Sequence, residues 1–454
     1  MKLKRIHLRN FRCFDELVVD FGPQLTVIIA ENGAGKTAIL DAIAIGFGRY
    51  LTKLPGVTGR TVKDTDLRVA EGERRTPYMM LAWEAESIDG LPIVWASGRK
   101  RDSAVTTAEI KKLLSNEQAA LMGRGLRELN DFTLGLVQKD SFQQAYFLPV
   151  IAYYGTNRAI REEVQGHRGS RKNPSRFDAL ANSLDPDSRF QAAFEWFSAM
   201  EDVERRERGT RRDFDYRHPD LDVVRGAIVR MLPPGFSNPR TEVRPLRFVI
   251  DRIMPDGVTR TLRVNELSDG YRVVLGLAMD LARRMAQANS RAANGGMQIV
   301  NPLDLPAIAL IDEVDLHLHP SWQQKVLDDL MRTFRNTQFI VTTHSPQVIS
   351  TVKREDIRVV GPDGAGRIIA APPIAMTYGE PSGDVLQSVM MVDPQPPVTE
   401  KADLQRLTEW VDQGRYQSSE ATDLMQSLTA ALGEQHPQLQ RLRRSIHRQE
   451  SLKR

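Results

Sequence analysis

Ala30-Glu31-Asn32-Gly33-Ala34-Gly35-Lys36-Thr37 follows the short apolar run Leu25–Ile29 and leads into Thr37 to Phe47, which is apolar at helical spacing. A strand, a glycine loop and a helix in that order aim successive backbone N–H groups and a helix dipole at one point, the arrangement that wraps phosphate oxygens. Gly33 and Gly35 let the backbone come close. Lys36 is expected to reach the β and γ phosphates of ATP, and the Thr37 hydroxyl to coordinate Mg2+. Asn32, Gly33, Ala34, Gly35, Lys36, Thr37 and Ala38 are therefore the expected nucleotide-binding residues. The general pattern begins with Gly where this chain has Ala30, whose methyl group narrows the loop.

Three further segments extend the same reading. Ile308 to Ile311 is an apolar strand followed by Asp312-Glu313, which delivers two carboxylates at the crevice end of an α/β sheet. Adjacent acids after a strand are more often solvated, but beside a phosphate loop they divide two tasks. Asp312 is expected to hold the magnesium shell and Glu313 to orient and polarise an attacking water. Leu267-Ser268-Asp269-Gly270-Tyr271-Arg272 precedes a long helix, so Ser268, Asp269 and Gly270 with the free N–H groups of its first turn form an anion site. His344 follows the strand Gln338 to Thr342 within Thr343-His344-Ser345-Pro346.

In this order the motifs resemble the ABC/SMC/RecF-like class of ATPases over about Met1 to Ala370. The resemblance implies an α/β head with a mostly parallel sheet, a helical insertion and a C-terminal helical tail. It makes Ser268 the start of a signature helix that closes on a γ phosphate held by a second copy, which implies a homodimer, and it makes His344 the switch histidine. Asn10-Phe11-Arg12 resembles the opening of SMC and RecF heads, where the arginine lies near the nucleotide. Tyr153-Tyr154-Gly155-Thr156-Asn157-Arg158 stands in the place of the Q-loop; Gln is missing there, and Asn157 is taken as its substitute. His317 and His319 invite a metal reading, but they match the loop after the acidic pair in RecF-like ATPases and are not taken as ligands.

Tyr378-Gly379 through Val385-Leu386, Val389-Met390 and the tail beyond look like PtuA-type ATPases of Septu and retron-linked antiphage systems. That likeness implies a separate HNH nuclease partner of the PtuB kind, in some systems a reverse transcriptase with its DNA, and possible contact with DNA. Three rivals are weighed against it. A transporter ATPase would carry the Gln loop. An OLD-type nuclease would add strands ending in acids after the ATPase, where this chain reads as helices. A RecF-like repair ATPase differs least, and the neighbouring genes separate the two.

The expected divisions are an N-terminal head portion over 1–157, a helical insertion over 158–245, a C-terminal head portion over 246–376 and a partner-binding tail over 377–454. Lys plus Arg number 62 against 58 Asp plus Glu, too even a balance to mark a nucleic-acid binder by charge alone. The single cysteine, Cys13, excludes an internal disulfide framework and sites needing paired thiolates, and points to a cytoplasmic setting. No apolar run approaches the roughly 20 residues that span a bilayer, so no membrane role is expected.

Overall fold

Leu25–Ile29, Val150–Tyr154, Ala307–Ile311 and Thr337–Thr342 are buried at every position, as strands of a parallel sheet covered on both faces must be. The computed structural model describes residues 1–69, 75–158, 175–187, 190–243, 245–290 and 301–452. In it these four strands join Ile357–Pro362 and Ile368–Ala371 in a six-stranded sheet of order 368–371, 357–362, 25–29, 337–342, 307–311, 150–154. All pairings are parallel except that of the edge strand Ile368–Ala371. The register sets Ile311 beside both Val341 and Tyr154, and Thr342 beside Ile28. Four strands therefore end together on one edge, and the residues that follow them meet there.

A second, antiparallel sheet of order 14–20, 2–11, 78–86, 92–100 lies on the other side of the helix Lys36–Leu51. That helix is apolar around almost its whole circumference and needs cover on both sides. Trp83 and Trp95, stacked with centroids 5.8 Å apart, provide it; their indole N–H groups donate to the carbonyls of Ala42 at 3.1 Å and Gly46 at 3.3 Å. A methyl group on Gly46 would stand 2.3 Å from Trp83 Cε2, so this crossing admits only glycine.

The segment expected as a helical insertion is only partly helical. Residues 159–174, 188–189 and 244 lie outside the described residues; the helices Phe190–Arg211 and Pro219–Met231 are followed by the strands Phe236–Val243, Leu246–Ile253 and Thr259–Arg263 in an antiparallel sheet. The insertion thus turns into a sheet before the expected boundary at 245. Asp269–Ala288 follows as a long helix whose carboxylate Asp280 is buried with Arg283 at 2.8 Å and Arg284 at 2.6 Å. Asp280 also accepts from the Tyr154 hydroxyl at 3.0 Å, which ties this helix to the end of a central strand. Two short helices, Pro320–Gln323 and Val326–Thr333, link the strands Ala307–Ile311 and Thr337–Thr342.

The chain divides into two compact units, Met1–Val385 and Leu386–Arg454. The expected start of the tail at 377 is too early, because the buried Thr377 donates its hydroxyl to the Val352 carbonyl at 2.5 Å and Gly379 N–H donates to the Ser350 carbonyl at 2.8 Å. In the second unit the helices Lys401–Asp412, Ser419–Leu432 and Pro437–Leu452 enclose Leu404, Leu407, Val411, Leu428, Leu439 and Leu442. Lys453 and Arg454, the last residues of the expected tail, lie outside the described residues. Among the described residues no helix is long and apolar enough to cross a membrane.

Candidate functional site

After Ile29 the backbone enters the left-handed region at Gly33, with φ 79°, and at Gly35, with φ 96°, before the helix opens at Lys36. Glycine is required at 35 on a second count: a Cβ there would stand 2.4 Å from Phe14 Cζ and 2.5 Å from Cys13 Sγ. Lys36 is buried and its Nζ donates to the carbonyls of Ala30 and Glu31, each at 3.0 Å, so the ammonium lies across the mouth of its own loop. Burial pulls its pKa below the usual lysine value against the opposing pull of Asp312 and Glu313. Asn32 is exposed and Ala38 buried, placing the first at the loop's rim and the second in the helix core.

The acidic pair lies directly opposite. Asp312 accepts from the Thr37 hydroxyl at 2.8 Å through one carboxylate oxygen and from the Thr342 hydroxyl at 2.5 Å through the other, while its N–H donates to the Tyr154 carbonyl at 2.8 Å. Thr342 Oγ1 in turn accepts from Glu313 N–H at 2.7 Å. One hydroxyl therefore fixes both acids. Glu313 stands at φ 49°, a left-handed conformation that a side chain bearing a Cβ rarely adopts.

His344 arrives from the strand between these two, half-buried, between two residues whose side-chain hydroxyls are hydrogen-bonded. Thr343 donates to Asp315 at 2.6 Å, and Ser345 donates to Gln323 at 2.8 Å and Gln347 at 3.0 Å. Arg12, at φ 50°, does not reach into the loop; it pairs with Asp41 of the Lys36–Leu51 helix at 2.6 Å and with Asp66 at 2.9 Å. Burial works against its charge, but Asp41 and Asp66 outweigh it and raise the pKa. Arg12 thus braces the phosphate-loop helix from the side. Ser268 and Asp269 are exposed at the start of their helix, Asp269 paired with Arg272. Gly270 packs so closely that a Cβ there would stand 2.8 Å from the His317 carbonyl oxygen, which fixes this helix start against the loop that leaves the acidic pair. His319 caps the Pro320–Gln323 helix, its Nδ1 accepting from Ser321 N–H at 3.3 Å.

The Q-loop position departs from expectation. Asn157 turns its amide outward to Asp187 at 3.2 Å. The next residue, Arg158, reaches the acidic pair instead: its guanidinium donates to the carbonyls of Asp312 at 2.5 Å, Glu313 at 2.5 Å and Gly155 at 2.9 Å. Thr342 and Arg158 are the two site residues that the sequence reading missed.

An oxygen set made of the Thr37 hydroxyl and the Asp312 carboxylate, already within hydrogen-bond reach, suits a hard cation such as Mg2+. The left-handed glycines and the Lys36 ammonium beside it suit a polyphosphate. A family model described as "AAA domain" matches residues 5–208, and one described as "AAA domain, putative AbiEii toxin, Type IV TA system" matches residues 154–350. The chain is 27% identical to the Retron Ec83 probable ATPase of Escherichia coli over 99% of its own length and 87% of that protein. It is 24% identical to the Retron Vc95 probable ATPase of Vibrio cholerae serotype O1 biovar El Tor over 85% of itself and 78% of that protein. It is 38% identical to the Septu protein PtuA of Bacillus mycoides (strain KBAB4) over a shorter stretch, 18% of this chain and 10% of that one.

Proposed function

Since the chain belongs to the AAA-domain P-loop ATPases of the SMC/RecF-like class, we propose that it binds and hydrolyses Mg-ATP as the regulatory or sensor subunit of a cytoplasmic antiphage defence complex. The observation that carries the ATPase reading is the Thr37 hydroxyl on the Asp312 carboxylate at 2.8 Å, which joins the phosphate loop to the acidic pair. The backbone N–H groups from Gly33 to Ala38 and the Lys36 ammonium bind the phosphates. Asp312 is held by two hydroxyls with one oxygen on Thr37 beside the loop, and Glu313 orients a water and takes its proton. Magnesium, when bound by Thr37 and Asp312, neutralises phosphate charge. His344, delivered beside the loop, contacts the γ phosphate.

The defence assignment rests on likeness along nearly the whole chain to proteins named as retron ATPases. It makes a separate HNH nuclease the partner, with a reverse transcriptase and its DNA where a retron is attached. The second compact unit, Leu386–Arg454, is the part assigned to partner binding. Removing it is expected to leave ATP binding intact and to abolish both co-purification with the neighbouring nuclease and protection against phage. A full-length chain that fails to co-purify with any nuclease encoded beside it would overturn the assignment.

The exposed Ser268 helix start serves a phosphate held by a second copy. ATP is therefore expected to shift the Glu313→Gln variant from monomer to dimer by light scattering, and Ser268→Arg to block that shift by bulk and charge. An unchanged mass with and without ATP would contradict the composite site.

A further inference from the structure

We infer that Arg158 is the positioning residue of the acidic pair: it locks the backbone on both sides of Glu313 and so aims the Glu313 carboxylate. This rests on the ATPase reading above and adds to it a residue of the 153–158 segment to which the sequence reading assigns no role.

The geometry is specific. The carbonyls of Asp312 and Glu313 belong to the two peptide groups that flank the Glu313 Cα. One guanidinium bridging both, through Nη1 at 2.5 Å and Nη2 at 2.5 Å, restricts φ and ψ of Glu313 together. The third bond, Nη1 to the Gly155 carbonyl at 2.9 Å, anchors the guanidinium to the loop that leaves the neighbouring strand. Glu313 N–H is bound to Thr342, so each backbone polar group around this residue is held.

Such restraint answers a need visible in the backbone itself. At φ 49° Glu313 occupies a conformation that is unfavourable for a non-glycine residue and persists only where its surroundings impose it. Glycine would remove the cost, but the position must carry a carboxylate. Backbone fixation from outside is the remaining solution.

Arginine suits this task and lysine does not, because only the planar fork presents parallel donors to adjacent carbonyls. The guanidinium is also expensive to keep there. It is buried against a cavity of about 10 Å³ walled by Met231, Val273, Leu277 and Val314, room for at most a single water. Its Nε has no hydrogen-bond partner among the described residues. Burial pushes its pKa down to about 10, with Asp312, Asp315 and Glu313 pulling the other way. A buried cation set on three carbonyls beside three carboxylates is a costly way to fill space, and it is understandable as a device that fixes the turn.

The test uses the full chain with Arg158→Lys and Arg158→Ala. Turnover is expected to fall about 10²-fold in both, the loss typical of a reacting group displaced by about an ångström, with the Kd for ATP changed less than about threefold. Guanidinium ion added to the alanine variant should recover part of kcat, which general damage to the fold would not allow. A second readout needs no turnover: hydrogen exchange without nucleotide should quicken about tenfold for the amides of Asp312, Glu313 and Val314 in the lysine variant, and stay unchanged in the second unit. Wild-type kcat in Arg158→Lys, ATP affinity falling in step with turnover, or unchanged exchange at Asp312 to Val314 would each overturn the assignment. A wild-type chain that binds ATP without hydrolysing it would instead overturn the ATPase reading, and the exchange measurement would still decide the role of Arg158.

Discussion

Lys36→Ala is expected to weaken ATP binding by at least about 10²-fold, whereas Glu313→Gln is expected to keep binding and lose turnover by about 10²–10⁴-fold. The separation follows from where each group sits. Lys36 lies across the loop mouth with its ammonium on two backbone carbonyls, Ala30 and Glu31, so it is a binding group whose partners are in place before ATP arrives. Glu313 is held through its backbone, by Thr342 on one side and Arg158 on the other, which leaves the carboxylate for chemistry. Glutamine keeps the size and loses the capacity to accept a proton. Equilibrium nucleotide binding and phosphate release measured on the same preparations distinguish the two effects. Parallel loss of binding in both variants would remove Glu313 from the chemistry and return it to the phosphate site.

Asp280→Ala is expected to destabilise the first unit by about 3–5 kcal/mol, the cost of leaving buried charge unpaired. Two guanidiniums, Arg283 at 2.8 Å and Arg284 at 2.6 Å, converge on this carboxylate in the interior, and the Tyr154 hydroxyl donates to it at 3.0 Å. Arg284 is further engaged by the carbonyls of Ala179 at 2.7 Å and Ala181 at 3.0 Å. Without Asp280 both cations face each other in the core with no counter-charge. Burial raises the carboxyl's pKa, but Arg284 and Arg283 outweigh it and hold the value at about 2. The folded value is depressed, so the contribution is complete above the unfolded pKa of about 3.9 and is lost as pH falls from there through about 2. Denaturant unfolding of wild type and variant at neutral pH gives the difference directly. A cost below about 1 kcal/mol would show that the core rearranges around the two arginines.

Much of this was legible before the fold was known, because the decisive signals are local. The glycine loop between a strand and an apolar helix, and the carboxylates at the end of a fully apolar strand, are patterns that the chain's own periodicity exposes. What escaped depends on register. Thr342 joins Asp312 to Glu313 only because Ile311 lies beside Val341 in a parallel pairing, and nothing around Thr342 announces which strand will be its neighbour. Arg158 was quoted in its segment, yet the amide of Asn157 drew attention by chemical likeness to glutamine; the chain turns Asn157 outward and Arg158 inward. The strand Phe236–Val243 was hidden by Pro239, which sits where the pairing slips between Ser237 and Arg240, next to Asn238 at φ 52°. Proline inside a strand usually signals a loop, except at such a bulge. The tail boundary was missed because Thr377 and Gly379 are tied to the first unit by hydrogen bonds to Val352 and Ser350, which no hydrophobic periodicity announces.

Cys13 is exposed, and its Sγ would stand only 2.5 Å from a methyl group placed on Gly35, so the thiol rests against the phosphate loop. It is also the chain's single cysteine. A maleimide dye on the unaltered polypeptide consequently labels one spot, beside the phosphate loop. Occupancy of the loop then becomes an optical signal in real time, obtained without engineering a cysteine into the protein or stripping others out.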